Sequence, residues 1–105
     1  MSKLWKETER RIASLLGGQR VPITGRQRGD VPDIAHDFLA IEVKERRHLP
    51  GWLLDGMAQA VAAARGGQMP IVVLHQAGDR YEDALVVVRL KDWREWYGAV
   101  QTTRE

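Results

Sequence analysis

The sequence predicts an α/β domain in which a mixed β-sheet is flanked by helices, in the order α-β-β-β-α-β-β-α. Three observations carry this. Two stretches, residues 3–16 and 49–67, have helical length, and each is closed by paired glycines. Five short runs rich in Val, Ile and Leu stand outside them. A chain of 105 residues suffices for one core, so residues 1–105 are read as a single domain.

Each element has its own warrant. Leu4, Trp5, Ile12, Leu15 and Leu16 fall on one side of a helical wheel, and Gly17-Gly18 ends the pattern. "QRVPI" is a short strand candidate. "TGRQRGDVP", residues 24–32, is polar and glycine-containing, so it reads as a loop. "DIAHDFLAIEVKE" reads as two strands around a tight turn at His36-Asp37. "LPGWLLDGMAQAVAAARGG" is the second helix. "MPIVVLH" is a continuous apolar run, which predicts a central, buried strand. "QAGDRYED" is a turn and "ALVVVRL" the last strand. "KDWREWYG" predicts a short helix with Asp92 as N-cap and Glu95 three residues on.

Composition narrows the function. At 44% hydrophobic and 29% charged, the chain is an ordinary globular protein. Without cysteine it can hold no disulfide and no thiolate-bound metal. No apolar run approaches the ~20 residues of a membrane span. "MSKLWKETERR" lacks the apolar centre of a signal peptide, so the expected location is cytoplasmic. The net charge of +2 says little, but residues 20–48 are denser. They hold six cations (Arg20, Arg26, Arg28, Lys44, Arg46, Arg47) against five acids (Asp30, Asp33, Asp37, Glu42, Glu45). If some acids bind a divalent cation, this region turns positive and suits a polyanion such as nucleic acid.

The charges inside the best strand region need a reason. Side chains alternate along a strand, so Leu39, Ile41 and Val43 face one way and Glu42 and Lys44 the other. A two-residue turn at His36-Asp37 pairs 35 with 38 and 33 with 40. Asp33 then lies diagonal to Glu42 on the same face, with Cβ atoms roughly 7–8 Å apart at most. A three-residue turn puts Asp33 on the other face unless a bulge corrects it. Glu9 sits at the border of the first helix's apolar stripe, and burying a carboxylate there requires a partner. A metal ion in the adjacent sheet is one. Carboxylates that hold Mg²⁺, with a lysine beside them, are the minimal kit for phosphodiester hydrolysis. Taken alone, Glu42 and Lys44 are an ordinary surface charge pair. Together with a helical acid, a Pro-Asp and a following helix, they favour a metal site.

Pro32-Asp33, eight residues, then Glu42-Val43-Lys44, resembles the PD-(D/E)xK nuclease pattern. The element order is similar to the core of that restriction-endonuclease-like fold. Within the superfamily the chain most resembles the small archaeal-type Holliday junction resolvases that also occur in phages. "TERRIASLL", residues 8–16, is similar to their first helix, and the likeness runs from residue 5 to about residue 90. The resemblance implies Asp33, Glu42 and Glu9 as Mg²⁺ ligands, Mn²⁺ substituting, with the Val43 carbonyl as a further ligand. It implies Lys44 as the catalytic lysine and a homodimer acting on branched double-stranded DNA. The chain departs from the family in its shorter length, and in Thr24-Gly25 where a functional serine often stands. A restriction-like or repair endonuclease with another DNA target is an alternative. So is a non-catalytic nucleic-acid-binding module.

Arg26 and Arg28 in the loop, and Arg46 and Arg47 after the EVK triplet, are candidate phosphate contacts, because the guanidinium fork matches phosphate oxygens. His36 is read as a turn residue and His48 as DNA-facing, either being an alternative metal ligand. The alanines of residues 58–64 serve a core or a dimer surface. Trp93, Trp96 and Tyr97 serve packing, dimerisation or base stacking, with packing preferred.

Overall fold

The computed structural model describes residues 2–21 and 32–103. It is a small mixed α/β protein with three α-helices and two antiparallel two-stranded sheets among the described residues. Contacts gather into two units, Met1–Arg47 and His48–Glu105.

The first unit begins with α1, Ser2–Leu16. Gly17 stops it with φ +77°, a left-handed conformation that costs glycine little, and the Gly18 N–H caps the Ala13 carbonyl at 2.8 Å. Gly18 is required for a second reason. A Cβ there would stand 2.5 Å from the Ala35 carbonyl oxygen and 2.7 Å from Ile34 Cγ2, closer than carbon can approach. The missing side chain lets the turn press against β2. The packed face of α1 also differs from the expected stripe. Its buried members are Glu9 and Ala13, four residues apart, whereas Leu15 is 42% exposed. Small Ala13 permits the close approach that Leu15 would block.

β1, Gln19–Arg20, pairs antiparallel with β2, Ile34–Ala35, through Gln19↔Ala35 and Arg20↔Ile34. Ile34 is fully buried and anchors this unit. The third expected strand, over residues 39–44, is not a regular strand. It contributes one isolated antiparallel bridge, Ile34↔Ile41. Side chains have taken the backbone donors that a ladder would use. His36 Nδ1 accepts from the N–H groups of Phe38 and Leu39, at 3.1 and 3.2 Å, and Asp33 Oδ2 accepts from the Val43 N–H at 2.7 Å. The tight turn expected at His36-Asp37 is therefore wider. Ile34 meets Ile41 rather than Leu39, a shift of two residues. The expected pairing of 33 with 40 therefore does not form, and Asp33 is buried whereas the Glu42 side chain is 60% exposed.

The second unit holds α2, Gly51–Ala63, β3, Ile71–Leu74, β4, Leu85–Val88, and α3, Leu90–Thr103. The order of regular elements is thus α-β-β-α-β-β-α. β3 and β4 form an antiparallel hairpin with Ile71 opposite Val88 and Leu74 opposite Leu85. α2 lies on β3, where the bare Gly56 meets the Val72 methyl groups. β3 is neither central nor buried: among the described residues β4 is its one neighbour, and Val73 is 57% exposed. A continuous apolar run does not by itself distinguish a strand covered on both faces from one covered on one. α3 is longer than expected and starts before Asp92. The Arg89 carbonyl accepts the N–H groups of Asp92 and Trp93, and the Asp92 carboxylate takes Arg89 Nε at 2.7 Å. Asp92 thus binds a guanidinium instead of capping the helix. Trp93 and Tyr97 stack with ring centroids 4.6 Å apart, while Trp96 stays half exposed.

Candidate active site

The first unit brings the helical acid and the EVK triplet to one place. Trp5 and Glu9 of α1, with Val43, Lys44, Glu45 and Arg46, line a cavity of about 280 Å³. Glu9 projects there from the packed face of α1. Thr8, its chain neighbour, donates a hydrogen bond to the Glu45 carboxylate, tying the helix to the segment after the triplet.

Glu9 and Asp33 are the two buried acids among the described residues. Each has a protein partner, as a buried charge must. Glu9 Oε1 accepts from Arg20 Nε at 2.6 Å, and Arg20 is itself stacked on Trp5, its guanidinium carbon 5.6 Å from the ring centroid. The partner expected to be a metal ion is therefore, in this structure, Arg20 of β1. Asp33 immediately precedes β2 and bonds to the chain on both sides. Its carbonyl accepts from Val21, its N–H donates to the Ile41 carbonyl, and its carboxylate holds the Val43 N–H. That last bond sets Asp33 directly against the triplet.

Glu42 and Lys44 are 60% and 70% exposed at their side chains, with Oε2 and Nζ 4.0 Å apart. Both are exposed, while Ile41 and Val43 beside them are half-buried. An exposed pair at that distance stabilises the fold by well under 1 kcal/mol. Fold stability is thus no strong reason for these two residues.

The donors expected from the sequence are all oxygen: the carboxylates of Glu9, Asp33 and Glu42 and the Val43 carbonyl. Hard oxygen donors of this kind fit Mg²⁺ or Mn²⁺. Among the described residues no three acidic or histidine side chains converge on one point. What is assembled is a neighbourhood, with Asp33 bound to Val43 and Glu9 sharing the cavity of Val43 and Lys44.

Other expected residues fall as follows. Arg26, Arg28 and Thr24 lie outside the described residues. Arg46 and Arg47 are exposed, and Arg46 also donates to the Glu45 carbonyl at 2.9 Å. His36 is a turn residue. With Nδ1 accepting two backbone N–H groups, Nε2 carries the proton and donates to the Leu16 carbonyl at 2.9 Å. His48 is exposed in the second unit. Sequence reasoning pairs Trp5 with Glu9 on the helical wheel but misses Arg20 and Glu45 as neighbours of Glu9. A signal exists for Arg20: a buried helical acid needs a cation, and Arg20 is the first basic residue after α1, in β1.

Comparison with family models, curated proteins and solved structures finds no match to this chain.

Proposed function

We propose that the protein is a Mg²⁺-dependent, structure-specific DNA endonuclease of restriction-endonuclease-like fold, which resolves four-way junctions by paired phosphodiester hydrolysis. One observation carries the reading: Glu9 of α1 shares a cavity with Val43 and Lys44, and Asp33 bonds the Val43 N–H. The positions implied by the PD-(D/E)xK resemblance thus neighbour one another, although they are distant in sequence.

In this reading Glu9, Asp33, Glu42 and the Val43 carbonyl hold the cation. When bound, Mg²⁺ supplies polarisation of a phosphoryl oxygen and a water of lowered pKa. Lys44 does the rest at close range. Its ammonium orients the attacking water and stabilises the charge that grows on the phosphoryl oxygens. The water oxygen forms a bond to phosphorus, the bond from phosphorus to the leaving sugar oxygen breaks, one water proton ends on that oxygen and the other stays with the new phosphomonoester. Arg46 and Arg47 follow the triplet and contact the phosphate backbone, which fixes register rather than sequence. Two copies, as a homodimer in the cytoplasm, present two such sites to the two strands of a junction.

A specific observation favours a second reading. Both buried acids already have protein partners, so they serve the fold without a cation. A non-catalytic nucleic-acid-binding module would look this way. Incubation with a labelled four-way junction or a matched linear duplex, in Mg²⁺ or EDTA, separates the readings. Paired nicks in the junction alone support a resolvase. Cleavage of both substrates points to an endonuclease with another target, and a band shift without cleavage to the binding module.

A further inference from the structure

Arg20 has no place in the nuclease scheme, yet it is the residue that holds Glu9. It reaches from β1 to two residues of α1 one turn apart. Its Nε donates to Glu9 Oε1, and its guanidinium lies over the Trp5 ring. The pair is well covered, with side chains 17% and 7% exposed. Among the described residues only one carboxylate oxygen is engaged: Glu9 Oε2 receives no bond there, and no unpartnered polar side-chain atom is sealed off, so Oε2 keeps some exposure on a side chain that is mostly buried. The residue that carries it lines the cavity shared with Val43 and Lys44.

We propose that Arg20 is the positioning residue for Glu9: pinned on Trp5, it clamps Oε1 and leaves Oε2 as the oxygen offered to a divalent cation. The inference rests on the metal-dependent reading above. Two roles for a cation at this spot predict opposite outcomes. A competing counter-ion weakens metal binding, and its removal tightens it. A positioning partner fixes the ligand's orientation, and its removal costs about 10–100-fold in metal affinity. The shape of the contact favours positioning. A planar fork held on an aromatic face presents its Nε–H in one direction, which an ammonium on a flexible stem does not reproduce.

The test is a calorimetric Mn²⁺ titration of the full chain without DNA, so turnover does not enter. Wild type, Arg20→Lys, Arg20→Gln and Glu9→Gln are compared, each checked for folding by circular dichroism. Positioning predicts that Arg20→Lys and Arg20→Gln both bind Mn²⁺ at least tenfold more weakly than wild type, and that Glu9→Gln does too. If Arg20→Gln does not fold, the charge-conserving Arg20→Lys decides. Wild-type affinity in Arg20→Lys reduces the residue to its charge and overturns the proposal. Unchanged or tighter binding in Arg20→Gln makes it a counter-ion and overturns it as well. Unchanged affinity in Glu9→Gln removes Glu9 from the site and ends the proposal, while the nuclease reading stands. A wild-type chain that binds no Mn²⁺ ends both.

Discussion

Asp33 carries two loads, and substitution separates them. Its carboxylate is buried and holds the Val43 N–H at 2.7 Å, the bond that stands where a strand ladder would otherwise run. A hydrogen bond to a charged group contributes about 1.5–3 kcal/mol, and one between neutral groups about 1 kcal/mol. Asp33→Asn keeps an acceptor oxygen and loses the charge, so the predicted loss is about 1 kcal/mol. Asp33→Ala loses the acceptor and leaves a half-buried N–H, so the predicted loss is about 2–3 kcal/mol. With a urea slope of about 1.5 kcal/mol per molar, the unfolding midpoint falls by roughly 0.7 M for asparagine and roughly 1.3–2 M for alanine. Urea melts followed by circular dichroism in EDTA measure this without any contribution from metal. An alanine variant as stable as wild type would refute the claim that this side chain holds the segment. Equal losses in the two variants would refute the division between charge and acceptor.

Further predictions concern the scaffold and the DNA. Gly18→Ala drives a Cβ into the Ala35 carbonyl and Ile34, and should cost about 1–3 kcal/mol, read as a lowered thermal midpoint. His36→Ala removes the acceptor of the Phe38 and Leu39 amides, so hydrogen exchange at those two should quicken while α2 amides stay unchanged. Junction affinity should fall linearly in log–log form with salt, and the Arg46→Ala, Arg47→Ala pair should flatten the slope by up to about 2.

Much of the local structure was legible because it rests on local rules. α1 ends where Gly17 permits the left-handed turn, and β3 and β4 follow their β-branched runs. The failures share a cause. Residues 39–44 alternate like a strand, but the pattern does not reveal that Asp33 and His36 capture the backbone donors of Val43, Phe38 and Leu39. Asp92 has the sequence of an N-cap, yet Arg89 three residues earlier takes its carboxylate. β3 reads as central from its apolar composition, which cannot count neighbours. For the candidate site, spacing along the chain groups Asp33, Glu42 and Lys44, and a helical wheel adds Glu9. Arg20 stayed hidden because its contact depends on how β1 leaves α1, a property of the turn at Gly17-Gly18.

The central claim is that Glu42 and Lys44 serve chemistry rather than the fold. Their exposure makes them the cleanest probes, since substitutions at such positions change stability by less than about 0.5 kcal/mol. The decisive measurement is cleavage of a labelled four-way junction in Mg²⁺ by wild type, Glu42→Gln and Lys44→Ala, with matched thermal midpoints as the control. The account predicts paired nicks by wild type, none in EDTA, and loss of cleavage in both variants at unchanged stability. Metal-dependent cleavage that persists in Lys44→Ala and Glu42→Gln, or none by the wild-type chain, would contradict it.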